Sequence, residues 1–281
     1  MTTLERPNVL SVPQPKANPQ PKLYETDESR YAGPHPWQTT LLAKWLRRQW
    51  RPYAYTRWYE QACADTTVRG LMHLRGLIDQ RGPAVFIANH QSHLDTVVVN
   101  EVLPNELRPR VFYGAAQDRW FVKGKRKLQL QPWYQSLALG NFPIMRGGGK
   151  GALSYASSLL RKQQCVLLFP EGTRSMRGEL GAFRHGATLL ALEHNVPVYP
   201  IYLGGIERIR AKQQKDVTPG SAYVEFLQPI HFSTGSEVSA ATERLAQRMQ
   251  QAHERFRAGQ NPSALDTATP AANSPDADVA A

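Results

Sequence analysis

Short apolar segments alternate with longer amphipathic ones through most of this 281-residue chain, and this alternation strongly constrains its fold. Apolar runs of about four to eight residues bounded by turn residues favour buried strands, whereas apolar positions at helical spacing favour packed helices. The alternation predicts an α/β fold, a single domain with a central mixed sheet covered by helices. Strands are predicted near residues 68–76, 84–88, 110–114, 141–145, 164–169, 197–203 and 222–228, and helices near 93–103, 149–163, 186–194 and 237–257.

Composition divides the chain into four segments. Residues 1–36 are rich in proline and polar residues and are predicted to be disordered or extended. Residues 258–281, dominated by Ala, Pro, Asn and Asp, are predicted to form a second disordered tail. Between them, an amphipathic helical segment, 37–63, precedes the folded domain, 64–257. The first segment has no cationic start followed by a long apolar stretch, so it does not resemble a secretory signal.

Segment 37–63 is both aromatic and basic. Between Trp37 and Tyr59 lie four of the chain's six tryptophans and five Lys or Arg residues. Trp and Tyr favour the lipid headgroup region, and Lys and Arg attract anionic lipid. We therefore expect peripheral docking on the cytoplasmic face of the cell membrane, with Pro52 dividing the segment into two helical pieces. The alternative is a helix packed on the domain with its charged face in water. No run approaches the roughly 20 apolar residues that a spanning helix needs.

The overall charge points to an anionic partner. The formal net charge is +11 and the pI is about 9.8, which suits an anionic membrane surface or nucleic acid. No recognised nucleic-acid-binding motif accompanies the charge, so no nucleic-acid partner is expected. The two cysteines, Cys63 and Cys165, suggest no disulfide framework, which favours a reducing, cytosolic location.

The run Asn89-His90-Gln91-Ser92-His93-Leu94-Asp95 supplies a candidate catalytic pair. His90 suits proton transfer near neutral pH, and the Asp95 carboxylate, five positions later, can fix the tautomer of the imidazole. Residues five apart on a helix point away from each other, so the pair meets only across a turn. An apolar run at 84–88 and a helical pattern after 94 place that turn at a strand-to-helix corner. Taken alone, the motif also fits a helix-capping Asp near an unrelated surface His.

Three further blocks follow: Gly140-Asn141-Phe142-Pro143-Ile144-Met145-Arg146, Phe169-Pro170-Glu171-Gly172-Thr173-Arg174-Ser175, and Val196-Pro197-Val198-Tyr199-Pro200-Ile201. In this order, the four blocks resemble the four motifs of the glycerolipid acyltransferase family, and more closely its bacterial 1-acyl-glycerol-3-phosphate acyltransferase branch. The resemblance covers roughly residues 68–230. The first and third blocks are the most specific. The second is a partial match, because Met145 precedes Arg146 where the family usually has Asp or Arg.

The resemblance implies a reaction and a set of roles. His90 would be the general base that removes a proton from a glycerol hydroxyl, and Asp95 would orient it. The hydroxyl would attack an acyl thioester directly, so no protein nucleophile, metal or bound cofactor is required. The acceptor would be lysophosphatidate, and the donor acyl-CoA or acyl carrier protein. Phosphate recognition favours arginine and backbone amides in a tight turn. The expected acceptor-binding residues are Arg146, Glu171, Gly172, Thr173 and Arg174, with Glu171 able to order the arginines.

Other interpretations of the same residues stay open. The acceptor could be another lysolipid, such as an amino-acid lipid or a lysophospholipid with a larger headgroup. His90, His93 and Asp95 could instead be ligands of a zinc hydrolase. A non-enzymatic lipid- or nucleic-acid-binding protein is a third alternative. No serine lies in a Gly-x-Ser-x-Gly elbow, and both cysteines are expected to be inert buried thiols.

Overall fold

Seven strands form one mixed sheet at the centre of the protein. The structure is a computed structural model of the chain, and it describes residues 30–145, 149–176, 178–214, 216–233 and 235–259. The strands lie in the order β1-β7-β6-β2-β5-β3-β4, and every neighbouring pair is parallel except β6 and β7. The predicted α/β fold with a central mixed sheet is confirmed. The strands are β1 (Cys63–Arg69), β2 (Val85–Ala88), β3 (Val111–Ala116), β4 (Asn141–Ile144), β5 (Cys165–Leu168), β6 (Val198–Gly204) and β7 (Gly220–Phe226).

Both faces of the sheet are covered by helices. Strands β2, β5 and β6 are buried along their whole length. On β2, Phe86 and Ala88 face one apolar core, and Val85 and Ile87 face the other. Successive side chains on a strand point to opposite faces, so an unbroken apolar run must be covered on both sides. This is why the apolar runs of the sequence identified the central strands.

The described residues contain ten α-helices. Helices α3, α4 and α9 contribute to the core on one face of the sheet, and α7, α8 and α10 contribute to the core on the other. All four predicted helices are present. They are α4 (predicted near 93–103), α7 with the 3-10 turn Gly149–Leu153 before it (149–163), α8 (186–194) and α10 (237–257). The helices are α1 (Leu41–Arg51), α2 (Arg57–Ala62), α3 (Arg75–Gln80), α4 (Asp95–Val102), α5 (Gln117–Trp120), α6 (Pro132–Ala138), α7 (Ser154–Arg161), α8 (Gly186–His194), α9 (Ile206–Ile209) and α10 (Val238–Arg257).

The strand predicted near 68–76 is wrong beyond Arg69. Gly70 has a φ of 70°, in the left-handed region, and a Cβ placed there would lie 2.0 Å from the carbonyl oxygen of Phe226. Only glycine fits such a position, and the chain turns there. It continues as a 3-10 turn, Leu71–Leu74, and then as α3. The apolar residues after Gly70 therefore belong to helical structure.

Residues 41–62 form a nearly continuous helical segment. Helix α1 begins after Thr40, whose side chain accepts a hydrogen bond from the backbone N–H of Ala43. At Pro52 the chain adopts a five-residue π-helical turn, Pro52–Thr56, before α2 begins. Among the described residues, no helix is both long and apolar enough to span a bilayer.

Only parts of the two predicted tails are described. Near the start of the described chain, Tyr31 forms an antiparallel bridge with Val122, and the N–H of Ala32 donates to the carbonyl of Phe121 at 2.7 Å. Residues 30–36 therefore lie against the domain. The rest of the first predicted tail, 1–29, and residues 260–281 of the second lie outside the described residues.

Candidate active site

The first and third sequence blocks come together at one edge of the sheet. Strands β2 and β5 are parallel neighbours that pair at Ile87 and Leu168, close to their carboxyl ends. His90 follows β2, and Glu171–Arg174 follows β5, so both blocks leave the sheet at the same edge. Ligand sites of open α/β sheets form at this carboxyl edge. The topology therefore joins two blocks that are about 80 residues apart in the sequence.

His90 and Asp95 form a direct contact. Asp95 is the fully buried first residue of α4, and its Oδ2 lies 2.7 Å from Nδ1 of His90. The same oxygen accepts the backbone N–H groups of Gln91 at 2.7 Å and Ser92 at 2.9 Å. A carboxylate oxygen accepts here, so Nδ1 of His90 carries a proton and Nε2 of the neutral ring is the acceptor. Nε2 is thus the atom that can take a proton from a substrate.

The imidazole of His90 is held in place by its surroundings. It stacks on the ring of Phe169, with the ring centroids 4.1 Å apart, and 19% of its side chain is exposed. The carbonyl of His90 accepts the N–H of Ser175 at 2.7 Å. The preceding residue, Asn89, donates from Nδ2 to the carbonyl of Leu203 at 2.8 Å and accepts the N–H of the same residue at 2.7 Å. These contacts fix the His90 loop to β6 and to the loop that follows β5.

Glu171 links two loops through their backbones. Its Oε1 accepts the N–H of His90 at 2.9 Å, and its Oε2 accepts the N–H of Gly181 at 3.0 Å. The side chain is buried, and burial raises the pKa of Glu171 while the two backbone donors oppose that rise. Both oxygens are therefore engaged with backbone, and in this structure the carboxylate orders the loops that carry His90 and Arg174.

Gly172 allows the turn that presents Thr173 and Arg174. Its φ of 67° lies in the left-handed region, and a Cβ placed there would lie 2.8 Å from Nε of Arg184. The backbone of Arg184 donates to the carbonyl of Pro170 at 2.9 Å, so the segment before α8 supports the turn. Thr173 is exposed and Arg174 is half-buried. Within the described residues, Arg174 forms no ion pair.

Three further cations near this site were missed by the sequence analysis. Arg119 lies on α5 after β3, and its guanidinium is 5.6 Å from the ring centroid of Trp120. Arg210 and Lys212 follow α9, which follows β6. The hydroxyl of Ser92 donates to the carbonyl of Arg210 at 2.7 Å. All three follow strands that leave the sheet at the same edge as β2, but each is an ordinary basic residue in an unremarkable stretch of sequence.

His93 is a buried neutral side chain. Its ring meets the edge of Trp120, with the centroids 5.2 Å apart, and its Nε2 is buried without a hydrogen-bond partner in the described structure. Burial lowers the pKa of His93 to about 3, and the charges of Arg174 and Arg119 add to that effect. His93 therefore remains uncharged at neutral pH and packs beside His90 and Asp95.

The remaining predicted site residue, Arg146, lies outside the described residues. Strand β4, which precedes it, ends at Ile144 and runs parallel to β3, so it ends at the same edge of the sheet.

Two alternative chemistries have little structural support. No group of three or more His, Cys, Asp or Glu side chains in the described part of the chain is arranged to hold a metal ion. Cys63 and Cys165 are free and buried, and burial raises the pKa of each thiol to about 11. A thiol with so high a pKa is a poor nucleophile at neutral pH. Cys165 also begins β5, whereas the candidate site lies beyond the other end of that strand.

Residues 66–204 match the family model described as Acyltransferase. This domain belongs to the acyltransferase family. The matched range of the acyltransferase domain contains β2 to β6 and both clusters of candidate residues, His90 with Asp95 and Glu171 to Arg174. Arg210 and Lys212 lie beyond its end.

Curated relatives share the family. The chain is 31% identical over 178 residues to human 1-acyl-sn-glycerol-3-phosphate acyltransferase alpha, a match that covers 59% of this chain and 57% of the relative. It is 28% identical over 220 residues to a chloroplastic 1-acyl-sn-glycerol-3-phosphate acyltransferase of Arabidopsis thaliana, covering 76% of this chain and 58% of the relative. The chain therefore spans little more than half the length of these relatives.

A solved structure shares the fold. The crystal structure of the 1-acyl-sn-glycerophosphate acyltransferase PlsC from Thermotoga maritima matches with a TM-score of 0.60 at 21% sequence identity. The match covers 77% of this chain and 82% of that chain. The acyltransferase domain described here thus has the same α/β architecture.

Proposed function

We propose that this protein transfers a fatty acyl group from acyl-CoA or acyl carrier protein to 1-acyl-glycerol-3-phosphate (lysophosphatidate), giving phosphatidate. The observation that carries the proposal is the 2.7 Å contact between His90 Nδ1 and Asp95 Oδ2 at the sheet edge where Arg174 also lies. The family of the domain and the names of its curated relatives support the same reaction.

The proposed reaction is a direct acyl transfer. Nε2 of His90 takes the proton of the free glycerol hydroxyl as the hydroxyl oxygen attacks the thioester carbonyl carbon. A C–O bond forms, the C–S bond breaks, and the proton held by His90 passes to the departing thiolate. Asp95 stabilises the imidazolium that exists between these steps, because its Oδ2 accepts from Nδ1 throughout.

The acceptor phosphate is proposed to bind beside Arg174. A phosphomonoester needs cationic donors, and a guanidinium can offer two parallel N–H groups to it. Arg174 has no carboxylate partner within the described residues, and Gly172 and Thr173 form the exposed turn before it. Arg146 is proposed as a second donor on the basis of the sequence alone.

An acceptor panel tests the proposal. Purified protein is assayed with labelled acyl-CoA and acyl-carrier-protein donors against lysophosphatidate, 1-acylglycerol, lysophosphatidylglycerol and lysophosphatidylcholine. We expect the highest kcat/KM with lysophosphatidate, at least about tenfold above 1-acylglycerol, because a hydrogen bond to a charged group contributes about 1.5–3 kcal/mol. Arg174→Ala should reduce that preference.

Three results would contradict the assignment. Equal rates with lysophosphatidate and 1-acylglycerol would show that the protein does not recognise the acceptor phosphate. Preference for another lysolipid would show that lysophosphatidate is not the acceptor. No transfer with any acceptor or donor would reject acyltransferase activity itself.

We also propose that the protein docks peripherally on the cytoplasmic face of the cell membrane through residues 37–59. The support is the orientation of α1, which exposes large apolar side chains and buries an arginine. Leu41 is 86% exposed, Leu42 67% and Trp45 57%, whereas Arg47 is only 8% exposed. Tyr53 and Trp58, in the turn and helix that follow, are also exposed. An apolar helix face in water suits contact with lipid acyl chains.

The distribution of charge supports an anionic bilayer as the partner. Residues 29–59 and 119–170 contain 15 Lys or Arg residues and no Asp or Glu, whereas the rest of the chain has 19 basic and 23 acidic residues. The two acid-free stretches pack on each other: Lys44 Nζ donates to Gln164 Oε1 at 2.7 Å, and the Tyr55 hydroxyl donates to the carbonyl of Leu139 at 2.6 Å. These two stretches therefore carry the excess of basic over acidic residues, and each Lys or Arg near an anionic surface contributes about 1 kcal/mol.

Sedimentation with lipid vesicles tests this docking. The double variant Leu41→Ser/Trp45→Ser should bind vesicles of phosphatidylglycerol and phosphatidylcholine at least about tenfold more weakly, because each buried large apolar side chain contributes about 1.5–3 kcal/mol. The matched control is Leu189→Ser, an exposed leucine on α8 outside both acid-free stretches. Equal pelleting of the double variant and the wild-type protein would refute the proposal.

A further inference from the structure

The segment that follows α9 contacts both loops of the candidate active site. Nζ of Lys212 donates to the carbonyl of Arg174 at 2.9 Å and lies 3.3 Å from the hydroxyl of Thr173. Two residues earlier, the carbonyl of Arg210 accepts the hydroxyl of Ser92 at 2.7 Å. Residues 210–212 therefore join the loop that follows β5 to the loop that follows β2. None of the sequence blocks that resemble the acyltransferase motifs includes this segment.

The position of the segment follows from the sheet order. Strand β2 lies between β5 and β6, and all three are parallel, so the chain after β6 emerges beside His90 on the side away from β5. Gly205, with a φ of 79°, turns the chain into the short helix α9, and Arg210 and Lys212 follow. Lys212 then reaches across the edge to Thr173 and Arg174.

Four basic side chains lie together at this edge of the sheet. Within the described residues, none of Arg119, Arg174, Arg210 and Lys212 forms an ion pair. Burial lowers the pKa of Arg174, and the neighbouring charges of Arg119 and Arg210 lower it further, while Asp95 opposes them. Like charges held together destabilise a fold unless an anion lies among them. An anionic group of the substrate meets that requirement.

We propose that Lys212 is a positioning residue that sets the specificity of this enzyme for an acceptor with a phosphomonoester. Its ammonium group donates to the backbone carbonyl of Arg174 and to the hydroxyl of Thr173. These contacts hold the turn in the conformation that receives the phosphate, and the ammonium adds a positive charge next to it. This inference rests on the function proposed above. Lys212 acts through Arg174 and the turn, so its loss affects recognition of the phosphate more than the proton transfer at His90.

Three substitutions separate charge from hydrogen bonding. Lys212→Met removes both, Lys212→Gln keeps a hydrogen-bond donor without the charge, and Lys212→Arg keeps both. The control is Arg244→Met, which removes an exposed cation on α10 outside both acid-free stretches. Each variant is assayed with lysophosphatidate and with 1-acylglycerol, and its thermal unfolding midpoint is measured.

We expect Lys212→Met and Lys212→Gln to raise KM for lysophosphatidate about tenfold, which corresponds to about 1.4 kcal/mol, with a smaller change in kcat. The ratio of kcat/KM for lysophosphatidate over 1-acylglycerol should fall by a similar factor. Lys212→Arg should restore most of both values, and Arg244→Met should match the wild-type protein. Inorganic phosphate should inhibit the Met and Gln variants about tenfold more weakly than the wild-type protein.

The proposal is overturned by two results. One is an unchanged acceptor ratio in Lys212→Met and Lys212→Gln. The other is an equal loss of activity with both acceptors together with a lowered unfolding midpoint, which marks a purely structural lysine. If the wild-type enzyme prefers lysophosphatidate and the Lys212 variants keep that preference, only the role of Lys212 is rejected. If the wild-type protein does not transfer an acyl group to lysophosphatidate, the proposed function is rejected, and this inference with it.

Discussion

Nδ1 of His90 lies 2.7 Å from Oδ2 of Asp95, although the two residues belong to different elements, the loop after β2 and the first turn of α4. The same oxygen accepts the backbone N–H groups of Gln91 and Ser92. One buried carboxylate thus shapes the turn and selects the tautomer of the imidazole that the turn presents. The geometry of the pair and the conformation of the loop are consequences of a single side chain.

Replacing Asp95 by Asn tests this double role. The amide oxygen of Asn carries no charge, so it accepts the three donors less strongly than a carboxylate and stabilises an imidazolium less. We therefore expect kcat to fall by about 10²-fold or more, the range typical of general acid–base catalysis. KM for lysophosphatidate should change much less, because Arg174 and the turn before it are not altered. Steady-state kinetics of purified Asp95→Asn checks this. A kcat within about threefold of the wild-type value would show that Asp95 does not support the base.

Gly172→Ala tests the turn that presents Arg174. A Cβ at this position would lie 2.8 Å from Nε of Arg184, and the φ of 67° is unfavourable for alanine. We expect kcat/KM with lysophosphatidate to fall at least about tenfold because the turn must shift. Gly124→Ala is the matched control, since Gly124 has a φ of 74° but no atom within 4 Å of the added Cβ. Equal kinetic effects in the two variants would show that close packing against Arg184 is unimportant.

Arg47 should contribute strongly to stability. It is buried, it donates from Nε to the carbonyl of Leu137 at 2.9 Å and from Nη2 to that of Ser136 at 2.9 Å, and it lies over the ring of Phe112. Arg47→Met leaves buried carbonyls without donors, and the free energy of unfolding should fall by about 2–4 kcal/mol. Arg48→Met, at the exposed neighbouring position, should change it by less than about 0.5 kcal/mol. Urea unfolding of both variants gives the comparison, and similar values would contradict it.

His93 should make the folded state sensitive to acid. Its pKa is lowered by burial to about 3 from 6.5, so below pH 6.5 the unfolded chain binds a proton that the folded protein does not. The free energy of unfolding should therefore fall as the pH drops from about 6.5 towards 3, by up to about 1.4 kcal/mol per pH unit from this group. Urea unfolding at pH 7.5, 6.5, 5.5 and 4.5 should show a shallower decline for His93→Gln. Parallel pH curves for the two proteins would mean that His93 is readily protonated in the fold.

The sequence predicted the parts of this structure that short-range pattern determines. The apolar runs at β2 and β5 predicted strands buried on both faces. If those strands are parallel neighbours, the blocks that follow them, with His90 and with Arg174, must lie close together. The pairing of β2 with β5 itself is a long-range property that no local pattern specifies. The family resemblance, rather than the periodicity, predicted that the two blocks share one site.

The features that were missed depend on tertiary contacts. Gly70 ends β1 because the backbone of Phe226 approaches too closely for a Cβ, and nothing in the local sequence reveals that approach. Lys212 is separated from Arg174 by 38 positions, and only the sheet order brings them together. For α1, the sequence showed an amphipathic pattern but not which face turns inward. In the structure α1 buries Arg47 and exposes Leu41 and Trp45.

The rate of acyl transfer by His90→Ala tests the central claim most directly. His90 supplies the only proton acceptor assigned to the reaction, and its loss should lower kcat with lysophosphatidate by about 10²–10⁴-fold. The variant should keep the wild-type circular dichroism spectrum and vesicle binding, and His231→Ala, at an exposed histidine, should keep full activity. Turnover by His90→Ala within about threefold of the wild-type rate would contradict the assignment of His90 as the general base.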